Sequence, residues 1–405
     1  MIKCGWLNNR DIGKEIPTDK FPITNTIFDL ICIGEKEELK KCEVFFVHKF
    51  DKQEIPKFNE YINYAKSIDI PIVYFDLFFP FICEYEDDYD FVVTETSHKN
   101  QKDNVIGIPI LGLHNFKKLT GNFEPNASQI LAELYKPELI EREYNMFLRV
   151  GKLSGKSIRQ RTLYEYLSLP FENAGHIVSL PEVSNKRREK EKTELFNDIN
   201  EINKFDINFT DYKEGQGAVY KGNPNTWFHD NCNIFNKIGV YSIFSYAEIM
   251  FESVTTHDTY IKQNDEIISF TEKHLQLFAT LTIPLIMDNE QSINYLKKWG
   301  FEFFEADLKP LVTDKTFITE KNNKIKSWLE KLVNYDFKDI WHKDLSQGFR
   351  PSILLNNFNR IHDIYNRGLH FTLTEYKILE ALNHPYLEKF QWDTNVRYLK
   401  QNDLL

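Results

Sequence analysis

Residues 270–304, FTEKHLQLFATLTIPLIMDNEQSINYLKKWGFEFF, set the fold expected of the rest of the chain. Apolar residues first recur at helical spacing, in a run that begins just after Thr271. The stretch 283–287, IPLIM, then has the apolar density of a strand covered on both faces. A second helical pattern stops at Gly300, a residue that accepts the left-handed backbone in which helices close. FEFF at 301–304 reads as a short strand. Helix, buried strand, helix and strand in succession are the rhythm of a parallel α/β sheet.

The same rhythm extends outward. Residues 238–250 read as a strand upstream of the quoted segment. Residues 146–150 form another, followed by a glycine-containing loop at 151–156, a helix over 157–168 and a strand at 176–180. Nearer the N-terminus, 27–33, 42–50, 70–81, 89–96 and 104–112 read as strands, with a helix at 55–68. A highly charged helix is expected within 184–205, loop with short elements over 206–231, and further helices at 321–334 and 351–366, before an amphipathic tail. The expected organisation is an N-terminal domain over 1–145 and a second domain over 146–350. C-terminal helices over 351–405 would return to the first domain.

Composition bounds the function. Hydrophobic residues at 42% and charged residues at 27% are those of a folded chain able to bury cores. Thirty-three Phe and 20 Tyr make those cores aromatic-rich. A net charge of -10 argues against broad nucleic-acid binding, which needs a basic surface. The five cysteines, Cys4, Cys32, Cys42, Cys83 and Cys232, include no CxxC pair and suggest neither a disulfide framework nor a zinc site. No run of 18 apolar residues suggests a membrane span, although peripheral contact stays open, and MIKCGWLNNRDIG is not a signal peptide. A cytoplasmic protein is expected.

The chemistry concentrates where Thr271, Glu272 and Lys273 open a helix. Exposed backbone N–H groups and a lysine make a place for phosphate there. Glu272 is suited to accept hydrogen bonds from two hydroxyls of a ribose or sugar ring. The plainer reading is a capped and solvated helix end, and His274 reads as structural. A basic set, Arg149, Lys156, Arg159 and Arg161, follows the strand at 146–150 and suits a diphosphate. Gly155-Lys156-Ser157 resembles a phosphate-binding loop, but GKLSGKS has three residues between its glycines where that motif needs four. His229, Cys232, His257 and Asp258 form a scattered set with little metal character, and 84–90 (EYEDDYD) reads as a solvated turn.

As an ordered set, Thr271-Glu272-Lys273, Ile283-Pro284, Ser292, Tyr295, Leu296 and Gly300-Phe301 resemble fucosyltransferase-like and related GT-B glycosyltransferases. The resemblance covers 146–304. It implies a GT-B fold, two Rossmann-like α/β domains facing each other across a cleft. It also implies transfer of a sugar from a UDP- or GDP-sugar, with no metal required. By that likeness Glu272 holds the ribose, Lys273 lies near the phosphates, and Glu252 stands at the acidic position upstream. Arg159 or Arg161 takes a phosphate-binding role, and Ser179 falls where the family has a serine after its next strand. In place of the family's FKP phrase this chain has His274-Leu275-Gln276-Leu277, which loosens any tie to a fucosyl donor. The catalytic base would come from the first domain, from Asp76, Glu95 or His98 near strand ends, or from Asp51. A glycan acceptor is favoured over DNA. The competing readings are a P-loop-like phosphotransferase using Gly155-Lys156-Ser157 and a non-catalytic partner-binding protein of the same fold.

Overall fold

Strand and helix periodicities resolve into two units, each built on a parallel sheet. The computed structural model describes residues 1–7, 21–24, 26–48, 51, 55, 58–76, 89–98, 102–115, 127–135, 140–151, 157–181, 185–213, 217–218, 244–251, 267–313, 315–346 and 352–405. For some residues within helices and strands, Glu272, His98 and Ser179 among them, only the backbone is described. The strands are β1 (Ile2–Leu7), β2 (Phe28–Ile33), β3 (Val44–His48), β4 (Ile72–Asp76), β5 (Phe91–Thr94), β6 (Thr96–His98), β7 (Val105–Gly107), β8 (Tyr144–Gly151), β9 (Ala174–Pro181), β10 (Phe209–Lys213), β11 (Gly217–Ala218), β12 (Ser245–Phe251), β13 (Ile267–Ser269), β14 (Ile283–Asp288) and β15 (Leu311–Val312). One unit comprises Met1–His114, Ile267–Phe270 and Ile364–Leu405; the other comprises Asn115–Glu266 and Thr271–Asp363. The α/β class and the two Rossmann-like units expected of a GT-B chain are present.

In the first unit the described strands run in the order β2-β1-β3-β4-β5-β7 and pair in parallel. One face carries Phe45, Val47, Ile72 and Tyr74 against Phe58, Ile62 and Ala65 of the helix Phe58–Ser67. Among the alternate residues, Phe46 and Phe75 meet Phe21 and Phe28 at ring separations of 5.1 to 5.8 Å, mostly edge to face. The phenylalanine-rich composition is here core packing, at about 0.5–1.5 kcal/mol per aromatic pair beyond burial. Strand β1 interrupts its apolar pattern at Lys3 and Gly5. A Cβ on Gly5 would stand 2.9 Å from Leu39 Cδ2, so close packing of the strand requires the glycine. β6 and β13 form a separate antiparallel ladder.

The C-terminal helices of this unit hold its N-terminal segment. Glu375, on the helix Leu369–Ala381, accepts hydrogen bonds from both the backbone N–H and the hydroxyl of Thr24, each at 2.6 Å. Burial pushes the Glu375 carboxyl up to about 7, against the pull of the two Thr24 donors, and the charge of Asp393 adds to the rise.

In the second unit the order is β11-β10-β9-β8-β12-β14-β15, parallel except for the β10–β11 edge. Met146, Leu148 and Val150 of β8, Ala247, Ile249 and Phe251 of β12, and Leu285 and Met287 of β14 join the main core. Because side chains alternate along a strand, Arg149, Glu248 and Asp288 belong to the opposite face. The start of the sheet is tied by Arg142. Its Nη1 donates to Ser245 O at 2.6 Å and Thr282 Oγ1 at 3.0 Å, and its Nη2 to Thr280 O at 2.7 Å. The guanidinium lies 4.8 Å from the Trp341 ring centroid, and Trp341 Nε1 donates to Leu281 O at 2.6 Å. Burial lowers the Arg142 pKa to about 9, so the group stays charged at neutral pH.

Gly300 closes the helix Glu290–Lys298 as expected. Its φ is +84°, Phe301 N–H donates to Leu296 O and Gly300 N–H to Lys297 O, the paired bonds of a Schellman end. The short strand expected at 301–304 does not form. Instead the Asn357 carboxamide pairs with both backbone groups of Glu302, accepting from its N–H at 2.8 Å and donating to its carbonyl at 2.9 Å. A side chain thus takes the place of a neighbouring strand. Among the described residues no helix is long and apolar enough to cross a membrane.

Two measurements test this packing. Arg142→Met takes one donor away from each of two backbone carbonyls and a hydroxyl, and should lower stability by about 3 kcal/mol or more in urea unfolding. Glu375 binds its proton more tightly folded than unfolded. Its contribution to stability is therefore full below its ordinary carboxylate pKa and is lost as pH rises through about 7. Unfolding midpoints of the wild type should fall across that window, and Glu375→Gln should flatten the slope. A wild-type slope that Gln leaves unchanged would refute the assignment.

Candidate functional site

A doubly wound sheet offers its ligand crevice outside the carboxyl ends of its strands, where the strand order reverses. In the second unit that reversal falls between β8 and β12. Arg149, near the end of β8, pairs through Nη2 with Glu248 Oε1 of β12 at 3.0 Å. Glu248 is fully buried and Arg149 keeps a partly exposed side chain. Arg159 is buried at the first turn of the helix Ser157–Ser168; its Nη1 donates to Gly151 O, and its guanidinium stands 5.8 Å from the Phe251 ring at the end of β12. Arg161 turns along the same helix to Glu165 and lies over Tyr164. Of the basic set, Arg149 and Arg159 thus meet the reversal point, while Arg161 is engaged further along its helix. Lys156 lies outside the described residues, with the rest of the loop 152–156.

The second element is the helix Glu272–Ala279, which leads into β14. A helix that precedes a strand parallel to its neighbours starts at the carboxyl edge of the sheet, and the contacts agree. Thr271 caps the helix, with its hydroxyl accepting from the N–H of His274 while Thr271 N–H donates to His274 Nδ1 at 3.3 Å. His274 Nε2 faces Asp288 Oδ2, at the end of β14, at 3.6 Å. Asp288 Oδ1 accepts from the N–H of Asn289 at 2.7 Å, and Asn289 caps the next helix by accepting from Ser292 N–H. The expected structural reading of His274 is thereby met. Lys273 is half-buried on the first turn beside it, and the backbone of Glu272 occupies the first helical position. Glu252 lies outside the described residues.

The first unit also gathers polar groups at strand ends. His48 ends β3, Asp76 ends β4 and Thr94 ends β5, with His48 registered to Phe75 and Asp76 to Thr94. Asp76 and Asp51 are buried, and Asp51 Oδ2 accepts from His48 N–H at 2.8 Å. Glu95 is half-buried in the bend between β5 and β6, and His98 closes β6. The Thr96–His98 strand pairs with Ile267–Ser269, so Thr96 stands opposite Ser269, whose chain continues into Thr271. The possible metal set at 229–232, His257 and Asp258 lies outside the described residues, as does most of the acidic run 84–90.

Sequence reading missed three contributors. Glu248 sits inside an apolar strand and betrays itself only as a charge in a run otherwise fit for burial. His48 falls within an expected strand, yet the first sheet reverses between β1 and β3, which places this histidine at that sheet's own reversal point. Lys321, on the helix Lys315–Leu332, donates to Ser157 Oγ at the start of the helix after β8. Nothing in the sequence links residues so far apart.

No protein-family profile matches the chain, and no curated protein does. Among solved structures it is similar to HepE from Anabaena in complex with UDP-glucose, at 8% identity over 91% of this chain and 100% of that one, with a TM-score of 0.38. It is similar to α,α-trehalose 6-phosphate synthase from Burkholderia multivorans at 10% identity over 91% and 75%, with a TM-score of 0.39. An α1,3-fucosyltransferase with GDP-fucose matches at 10% identity over 91% and 90%, with a TM-score of 0.40. At these scores and identities the likeness is loose.

The Arg149–Glu248 couple yields a test of its own. Glu248→Ala leaves a largely buried guanidinium without its carboxylate, at about 3–5 kcal/mol. Urea unfolding should show that loss, and Arg149→Met in the same chain should recover part of it. Additive losses in the double variant would show that the pair is not coupled.

Proposed function

We propose that the chain is a nucleotide-sugar-dependent glycosyltransferase of the GT-B type. The observation that carries the reading is the start of the helix Glu272–Ala279 at the carboxyl edge of the second unit's parallel sheet, beside the end of β14. Backbone N–H groups of that first turn, with Lys273, suit the diphosphate of a UDP- or GDP-sugar. Glu272 takes the ribose hydroxyls, with Glu252 as a second acidic contact. Arg149, steadied by Glu248, and Arg159 border the same edge, and Lys156 and Arg161 are further candidates for the phosphates.

In this reading the second unit holds the donor and the first unit the acceptor. As the bond between the anomeric carbon and the diphosphate oxygen breaks, negative charge grows on the leaving group. Lys273 and the helix N–H groups offset it. Asp76, Glu95 or His98 takes the proton of the acceptor hydroxyl as its oxygen bonds to the anomeric carbon. Fixed cations at the diphosphate do the work a divalent ion does elsewhere, so the transfer is metal-independent. The net charge of -10 favours a glycan acceptor over DNA. A cytoplasmic location, with peripheral membrane contact where the acceptor is lipid-borne, completes the reading.

Calorimetric titration with UDP, GDP and ATP decides the matter. One of the two nucleoside diphosphates should bind with a micromolar Kd, and Glu272→Ala and Lys273→Ala should each weaken it by about tenfold, near 1.4 kcal/mol. Binding of ATP alone, unaffected by either substitution, would overturn the proposal and point to the loop around Lys156.

A further inference from the structure

The couple formed by His274 and Asp288 does no chemistry in the proposed transfer, yet both side chains are completely buried. Burying an imidazole and a carboxylate is unfavourable unless each is held by partners. Three of their bonds converge on one place. Nδ1 of His274 accepts from Thr271 N–H, so the imidazole proton resides on Nε2, the atom that faces Asp288 at 3.6 Å. The other carboxylate oxygen of Asp288 holds Asn289 N–H, and Asn289 caps the following helix. The Asp288 carbonyl accepts from Thr313 N–H at 2.9 Å, so the end of β14 is itself fixed from the β15 side.

We infer that His274 and Asp288 are positioning residues for the donor site: they lock the Thr271–Lys273 turn to the end of β14, so that its N–H groups and Lys273 are set before a ligand arrives. The inference rests on the donor-site reading given above. Preorganised donors lose less freedom on binding, so the effect belongs in nucleotide affinity as well as in stability. A leucine could fill the volume of His274 but cannot accept from Thr271 N–H. Asparagine can, through its side-chain oxygen, and so should restore the cap but not the link to Asp288.

The test combines a spectrum with a titration, both on the full chain. In ¹⁵N-resolved NMR of the free protein, His274 should show the Nε2–H tautomer with a proton slow to exchange with solvent. Its ring nitrogens should shift on adding UDP or GDP, whichever binds. In calorimetry His274→Leu should weaken that nucleotide at least tenfold, and His274→Asn, which keeps the bond to Thr271 but not the approach to Asp288, and Asp288→Asn should each fall between it and wild type. The Nδ1–H tautomer, or wild-type affinity in both His274→Leu and Asp288→Asn, overturns the inference while leaving the donor site in place. A wild-type chain that binds neither nucleotide overturns the donor reading on which the inference rests, and the tautomer then reports only the lock itself.

Discussion

The second unit depends on a buried arginine at the foot of its sheet. Parallel strands leave carbonyl groups at their beginnings, and turns that enter them rarely pair those groups fully. Arg142 supplies a flat fan of donors to the start of β12 and to the turn before β14. Its own backbone N–H donates to the Tyr246 hydroxyl, which passes a bond on to Ile140 O. A guanidinium suits this place because it carries five donors and no acceptor. With the beginnings of β8, β12 and β14 tied together, strand length alone decides what arrives at the opposite edge. What arrives is Gly151, Phe251 and Asp288.

That edge is polar for a related reason. The main core takes every second residue of the central strands and is apolar throughout. The opposite face accepts Arg149, Glu248 and Asp288, each held by a counter-charge or a hydrogen bond. The first unit solves the same problem differently. Its central strands are Val, Ile and aromatic residues along their length, and His48, Asp76 and Thr94 stand where they end. In both units the strand interiors are mostly apolar and polar groups gather toward the carboxyl ends.

Much of this was legible because local pattern and tertiary role agree. The IPLIM strand, the helix after residue 156 and the Gly300 stop each follow from a short-range rule, and each stands where expected. Failures fell where a distant partner decides. β1 hides behind Lys3 and Gly5 because its glycine is demanded by Leu39, a neighbour only in the folded sheet. FEFF has the alternation of a strand, but its backbone is satisfied by Asn357 on a later helix. Thr271 and Lys273 were visible as a helix start, whereas Glu248 and Lys321 acquire meaning only when strand order and helix packing are known.

The grip of Glu375 on Thr24 bears on how such a chain can be made. The first unit needs residues from both termini, since Ile364–Leu405 belong with Met1–His114. On the ribosome the early strands are finished first, yet the helices of Ile364–Leu405 follow only after the second unit. The unit begun earliest is thus completed latest, and its sheet must stay soluble meanwhile without those helices. Trimming the helices over 364–405 would strike the distant segment around Thr24 hardest.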